Sequence, residues 1–179
     1  IYQQILGFGK YGFPESHAAS FALLVYVSAW LKCHQPAAFT CALLNSQPMG
    51  FYTPSQLVQD VRRHGVAVCP IDVMRSAWDC TLESEGADLV LRLGLRMVKH
   101  LSYTGAKRLL DARQHRVFTS VDDLAHRASL ERGDLRALAS ANALSTLVQH
   151  HRRQAGWLVS GIEKPSPVFP QPYIREATP

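Results

Sequence analysis

The sequence predicts a mainly α-helical protein with a small β element, an α+β chain, on three observations. The run Ala18 to Leu31 is apolar apart from Ser20 and Ser28, further segments carry paired helix start and stop signals, and only three short stretches suit strands. With 179 residues, 47% of them apolar, the chain can form one domain or two small ones. The expected division is 1–91, a helical segment closed by short strands; 92–160, a basic helical domain; and 161–179, a proline-rich linker.

The apolar run sets the first element. A helix with apolar residues on every side has no solvent face and belongs inside a larger body. A bilayer span needs roughly 20 apolar residues, so the run is too short to cross one. Gly12 and Pro14 break any preceding helix, and Ser16 suits the N-cap, so the helix is expected to start near His17. A Ser-His pair at the positive end of a helix can offer N–H groups, a hydroxyl and an imidazole to a phosphate. The simpler reading, in which Ser16 only caps and His17 only packs, stands beside it.

Pro36 opens a second helix at the tolerated first position, with Phe39, Ala42 and Leu43 expected against the first. Gln47 to Tyr52 reads as a loop whose Phe51 and Tyr52 either plug into the core or stack on a base. Thr53 caps a third helix stopped by Gly65, with Leu57, Val58 and Val61 inward. Val66 to Pro70 reads as a short strand, and Trp78–Leu82 with Leu89–Leu93 as a hairpin.

From Gly94 the character changes. Leu95, Val98 and Leu101 lead through a tight turn into a helix carrying Lys107 and Arg108, with Lys99, Ser102 and Gly105 around the turn. Two short helices joined in this way suit a helix-hairpin-helix, whose turn amides and second helix N-terminus bind a DNA phosphate without reading bases. The usual Gly-x-Gly turn lacks its first glycine, where His100 or Leu101 stands. Ser120 and Asp123 have capping-box spacing, and Ser129 is expected to cap the next helix, with Leu135 and Leu138 inward. A last helix is expected over Ser145 to Val159. Arg136, Arg152 and Arg153, with His150 and His151, are candidate backbone contacts; a solvated charged surface explains any single one equally.

Charge supports that reading. Residues 1–91 carry five Lys or Arg against seven Asp or Glu, whereas residues 92–153 carry twelve against five. The basic excess is confined to one segment, and a polyanion is its expected partner. Cys33, Cys41, Cys69 and Cys80 show neither metal-binding spacing nor the density of a disulfide scaffold, so reduced packed thiols are expected and zinc is not. Gly7 to Gly12 formally matches GxGxxG, but Phe13-Pro14 interrupts the helix that a dinucleotide site requires, and no carboxylate follows near Lys32. Lys10 remains a candidate phosphate neighbour. No signal peptide or transmembrane segment is read, which points to the cytoplasm.

One string ties these elements together. Gly12-Phe13, Ser16-His17, the alanine-rich run Ala18 to Val27, Trp30 to Lys32 and Pro36 to Phe39 follow in the order found in the fingers of bacterial C-family DNA polymerases, the polymerase III alpha-subunit family, which the chain resembles. Pro14 to Ala22, followed by Leu44 to Tyr52, resembles the error-prone branch used in damage-induced mutagenesis; the replicative branch usually has a basic residue in place of Glu15. The resemblance implies the end of the fingers followed by two helix-hairpin-helix motifs, the second over Ala139 to Leu144 with Asn142 in place of its glycine. Asn tolerates left-handed geometry. It further implies a structural turn at Asp72, an incoming deoxynucleoside triphosphate beside Lys10, Ser16 and His17, and duplex primer-template DNA on the basic domain.

By the same resemblance, Mg2+ is held by carboxylates of a palm upstream of Ile1, so this segment alone is expected to be inactive. Partner mutagenesis proteins and the sliding clamp are implied too, though no clamp-binding peptide is seen. Two other readings account for part of the sequence: a non-enzymatic helix-hairpin-helix module of a repair protein, and a helical interaction domain with a basic face.

Overall fold

The computed structural model describes residues 15–86, 88–148 and 152–162, and of Glu15, Ser16, Glu85, Arg152 and Arg153 the backbone alone. Among the described residues, helices predominate and three short strands form a single sheet, as the sequence predicts. The chain divides into two compact units. One holds the described residues up to Pro70 together with Asp79–Leu93, the other Ile71–Trp78 with the described residues from Gly94 on. Ile71–Trp78, read from sequence as part of the first segment, thus packs with the second unit.

In the first unit, α1 (Glu15–His34) meets α2 (Pro36–Asn45), and α2 meets α3 (Pro54–Arg63). Because α1 is described from Glu15, Ser16 stands inside the helix and not before it. α1, expected inside a larger body, is exposed in this chain: Leu23, Val25 and Tyr26 are 65%, 65% and 70% accessible. The inward face of α2 also differs. Ala37, Thr40, Cys41 and Leu44 are buried while Ala42 is exposed, because α2 turns toward the sheet as well as toward α1. Asn45 fixes that packing: its Nδ2 donates to the Cys80 carbonyl at 2.9 Å and its Oδ1 accepts from the Cys80 N–H at 2.8 Å. Burial pushes the Cys41 thiol above its ordinary pKa, with Cys80 and Asp79 adding to it, as suits an inert packed thiol.

α3 follows the sequence closely. Thr53 and Gln56 form a reciprocal capping box, Leu57 and Val61 are buried, and Gly65 takes φ 82° just beyond the helix. β1 (Val68–Cys69) is shorter than expected. It pairs in parallel with β3 (Asp88–Arg92), which pairs antiparallel with β2 (Thr81–Glu85), giving the order β1-β3-β2. The hairpin register sets Leu82 opposite Leu91 and Glu83 opposite Val90. Trp78 lies before β2, outside the hairpin in which it was expected. Phe51 and Tyr52 are 92% and 59% exposed, so neither plugs a core in this chain.

Among its described residues, the second unit packs a 3-10 turn (Leu95–Met97) and four helices, α4 (Tyr103–His115), α5 (Val121–Arg127), α6 (Arg132–Ser140) and α7 (Arg152–Gly161), around one core. Leu95, Leu109, Leu124, Leu138 and Leu144 are fully buried there. Ser120 caps α5 by accepting from the Asp123 N–H at 3.0 Å, but the Asp123 carboxylate reaches back to the Thr119 N–H, one residue earlier than a capping box requires. Ser129 does not cap α6; Glu131 holds that position. Instead Ser129 takes φ 48° and ends α5, with its N–H on His126 O and the Leu130 N–H on Ala125 O, a Schellman stop in a place glycine usually fills. The last helix is shorter than expected, since residues 141–148 form turns.

Burial raises the Asp123 carboxyl pKa, but the Thr119 N–H and the Arg127 and Arg116 guanidiniums outweigh it and hold the group below its ordinary range. A carboxylate whose folded pKa is depressed contributes stability above its unfolded pKa, about 3.9, and loses it as pH falls through the folded value. Acid titration followed by circular dichroism is therefore expected to destabilise the second unit below about pH 4, with Asp123→Asn lacking that component.

Candidate nucleic-acid interface

The first predicted hairpin runs from the 3-10 turn through His100 and Leu101 to α4. His100 takes φ 66°, so the place where a glycine was missed is the left-handed corner of the turn. Ser102 then caps α4, its Oγ accepting from the Gly105 N–H at 2.9 Å. That hydroxyl donates in turn to Asp134 Oδ2 at 3.0 Å, and the Ser102 N–H donates to Asp134 Oδ1 at 2.8 Å. Asp134, in the first turn of α6, is 5% exposed. Gly105 is required by this approach: a Cβ there would lie 2.2 Å from Asp134 Oδ2.

The second predicted hairpin follows α6. Asn142 takes φ 58°, with its N–H on Ala139 O and the Ala143 N–H on Leu138 O, which is again a Schellman stop. Asparagine pays less for this conformation than other side chains do, and glycine least of all. Asn142→Ala is expected to cost about 1 kcal/mol, and Asn142→Gly to be neutral or stabilising by up to about 1 kcal/mol, as urea denaturation would show.

Ile71–Trp78 braces the second hairpin. The Val73 N–H donates to Ala143 O at 2.9 Å, and Asp72 accepts from the Met74 N–H at 2.8 Å and from Thr146 Oγ1. Arg113 of α4 donates to the Val73 and Ser76 carbonyls at 2.8 and 2.9 Å, with its guanidinium pulled below its ordinary pKa by burial, against the opposing pull of Asp72. Trp78 meets Tyr103 edge to face at 5.0 Å. Asp72 is thus a turn residue, as its sequence context implied, and it ties that turn to the hairpin.

The predicted cations fall into groups. Lys99, Lys107 and Arg136 are exposed, and no ion pair among the described residues engages them. Arg108 is exposed as well, but its guanidinium donates to carbonyls at the end of α5, Ala128 O at 3.1 Å and Ser129 O at 3.0 Å. Arg152 and Arg153 open α7, and their side chains, like His150 and His151, lie outside what is described. On α1, His17 is exposed with its ring 4.4 Å from Phe21; Lys10 and the Ser16 side chain lie outside the described residues. Sequence reasoning missed Asp134 altogether. An isolated acid in a helix first turn carries no signal beyond favourable placement at the positive end.

Among the described residues no group of three or more His, Cys, Asp or Glu could hold a metal ion. No described helix is long and apolar enough to cross a membrane.

Comparison with known proteins agrees with this geometry. The chain is 56% identical over 198 aligned residues to an error-prone DNA polymerase of Methylococcus capsulatus, covering 100% of this chain and 19% of that relative. It is 59% identical over 180 residues to the error-prone DNA polymerase of Alkalilimnicola ehrlichii, covering 100% of this chain and 18% of that relative. Against that of Aromatoleum aromaticum it is 57% identical over 178 residues, covering 97% and 16%. The resemblance read from Pro14–Ala22 and Leu44–Tyr52 is borne out, and the chain spans less than a fifth of the length of these curated relatives. Residues 65–155, about half of the chain, match the helix-hairpin-helix motif, and the chain belongs to that family.

Proposed function

We propose that this chain is a segment of an error-prone DNA polymerase acting in DNA repair and damage-induced translesion synthesis, and that its second unit grips duplex primer-template DNA through the phosphate backbone. The observation that carries the reading is the join, in one chain, of a helix-hairpin-helix match over residues 65–155 with similarity to error-prone polymerases along its whole length. Exposed Lys99, Lys107 and Arg136, with Arg152 and Arg153, supply sequence-independent phosphate contacts, and Asn142 shapes the second hairpin beside them.

Polymerases of this kind transfer nucleotides with divalent metals held by carboxylates. The acids described here do not fit that role: Asp122 and Asp123 stand in the first turn of α5, and Asp123 is bonded to Thr119, Arg116 and Arg127. Mg2+ and the reacting atoms therefore belong to another part of the longer protein, and this chain alone does not extend a primer. The exposed apolar surface of α1 supports the same reading. Eight large apolar side chains between Phe21 and Leu31 are accessible, a surface that larger proteins cover. In the longer protein, Lys10, Ser16 and His17 face the incoming deoxynucleoside triphosphate. Mutagenesis accessory proteins and the sliding clamp recruit the enzyme in the cytoplasm.

Primer extension tests the reading. The full-length protein is expected to extend a primed template in Mg2+ while the 179-residue chain binds the same duplex without extending it. Duplex binding by a full-length protein that extends no primer would leave the non-enzymatic module instead.

A further inference from the structure

We propose that Asp134 occupies the phosphate position of the first hairpin, so that this hairpin is closed to DNA and serves as an internal latch. The inference rests on the duplex-binding reading above and assigns its contacts. A helix-hairpin-helix takes a phosphate on the N–H groups of its turn and of the following helix N-terminus, where the helix dipole favours an anion. In this chain an anion is already there. The Asp134 carboxylate accepts the Ser102 N–H at 2.8 Å and the Ser102 hydroxyl at 3.0 Å, and that hydroxyl takes the Gly105 N–H at 2.9 Å.

Three features make this a built arrangement. Asp134 is 5% exposed, so its carboxylate is seated inside the unit. It comes from α6, which leads into the second hairpin, and so couples the two motifs. Gly105 leaves the space it needs, since a Cβ would stand 2.2 Å from Oδ2. A phosphate arriving at Ser102 would meet a carboxylate on the same donors, and like charges in one site repel. Arg108, in the second turn of α4, directs its Nε and Nη2 at the Ala128 and Ser129 carbonyls. Phosphate contact then passes to the exposed Lys99, Lys107 and Arg136 and to the second hairpin.

The test is duplex titration of the full chain, read by amide resonances and by the salt dependence of affinity. In the unaltered chain the Ser102 and Gly105 amides are expected not to shift when DNA binds. In Asp134→Asn, which keeps an acceptor for the Ser102 N–H but loses the charge, they should shift. Affinity should rise several-fold, and the salt slope should steepen by about 0.9, the value for one further phosphate. Asp134→Ala repeats the test without the acceptor; should it fail to fold, the asparagine variant decides alone.

Asp111→Asn on α4 removes an exposed acid and controls for net charge; an equal gain there overturns the proposal. So does a shift of the Ser102 and Gly105 amides in the unaltered chain, or a folded Asp134→Asn with unchanged or weaker binding. If the unaltered chain binds no duplex at all, the duplex-binding reading itself fails and the proposal falls with it.

Discussion

Replacing Glu83 with alanine is expected to loosen the sheet of the first unit by about 3–4 kcal/mol, because it takes from a buried guanidinium the part-buried carboxylate that accepts two of its hydrogen bonds. Arg92, at the end of β3, is 5% exposed. Its Nη2 donates to Glu83 Oε2 at 2.8 Å, its Nε donates to Glu83 Oε1, and its Nη1 reaches the Pro70 carbonyl at 3.2 Å. The alternation of the strand produces the pairing. Arg92 lies opposite Thr81, and Glu83, two residues along, projects from the same face of β2. Removing one member of a pair in which the guanidinium is buried costs more than removing both. The double variant Glu83→Leu/Arg92→Met should therefore recover most of the loss. Hydrogen exchange reads this directly: the Leu91 amide, bonded to Ala67 O at 3.0 Å, is expected to lose protection by roughly 10²–10³-fold in Glu83→Ala. Unchanged protection would show that the pair contributes little.

Asp72→Ala is expected to destabilise the second unit by about 3 kcal/mol, since two hydrogen bonds to a nearly buried charge are lost together. Asp72 and Ser76 are 8% and 0% exposed, and the Ser76 hydroxyl accepts from the Asp72 N–H at 3.0 Å. The loss spreads because the same turn presents Val73 to Ala143 and the Val73 and Ser76 carbonyls to Arg113. In urea the midpoint of the second unit should fall by about 1–2 M. Asp72→Asn, which keeps an acceptor but loses the charge, should fall between the two. A midpoint within about 0.3 M of the unaltered chain would show that Ile71–Trp78 is not coupled to the hairpin.

The sequence made some of this legible and concealed the rest for physical reasons. Local chemistry was readable: Thr53, Gly65, Ser120 and the left-handed Asn142 act through neighbours a few residues away, and they appear where their types predict. Non-local partners were not readable. Nothing near Asp134 announces Ser102, 32 positions away, nor does Arg113 announce Val73, 40 positions away. Nor does Arg108, basic and following a turn, announce the carbonyls at the end of α5 to which it donates. Ser129 was mistaken for a cap, since serine favours N-caps far more often than it ends a helix in left-handed geometry. The uniform apolarity of α1 signals burial, yet its large apolar side chains are exposed in this chain.

Salt dependence of duplex binding tests the central claim most directly. With Lys99, Lys107, Arg136, Arg152 and Arg153 each neutralising a phosphate, the logarithm of affinity should fall against the logarithm of salt with a slope near −4.5, about 500-fold between 50 and 200 mM, alike for unrelated sequences. A slope near zero, or affinity that depends on sequence more than on salt, would contradict a backbone-gripping helix-hairpin-helix unit.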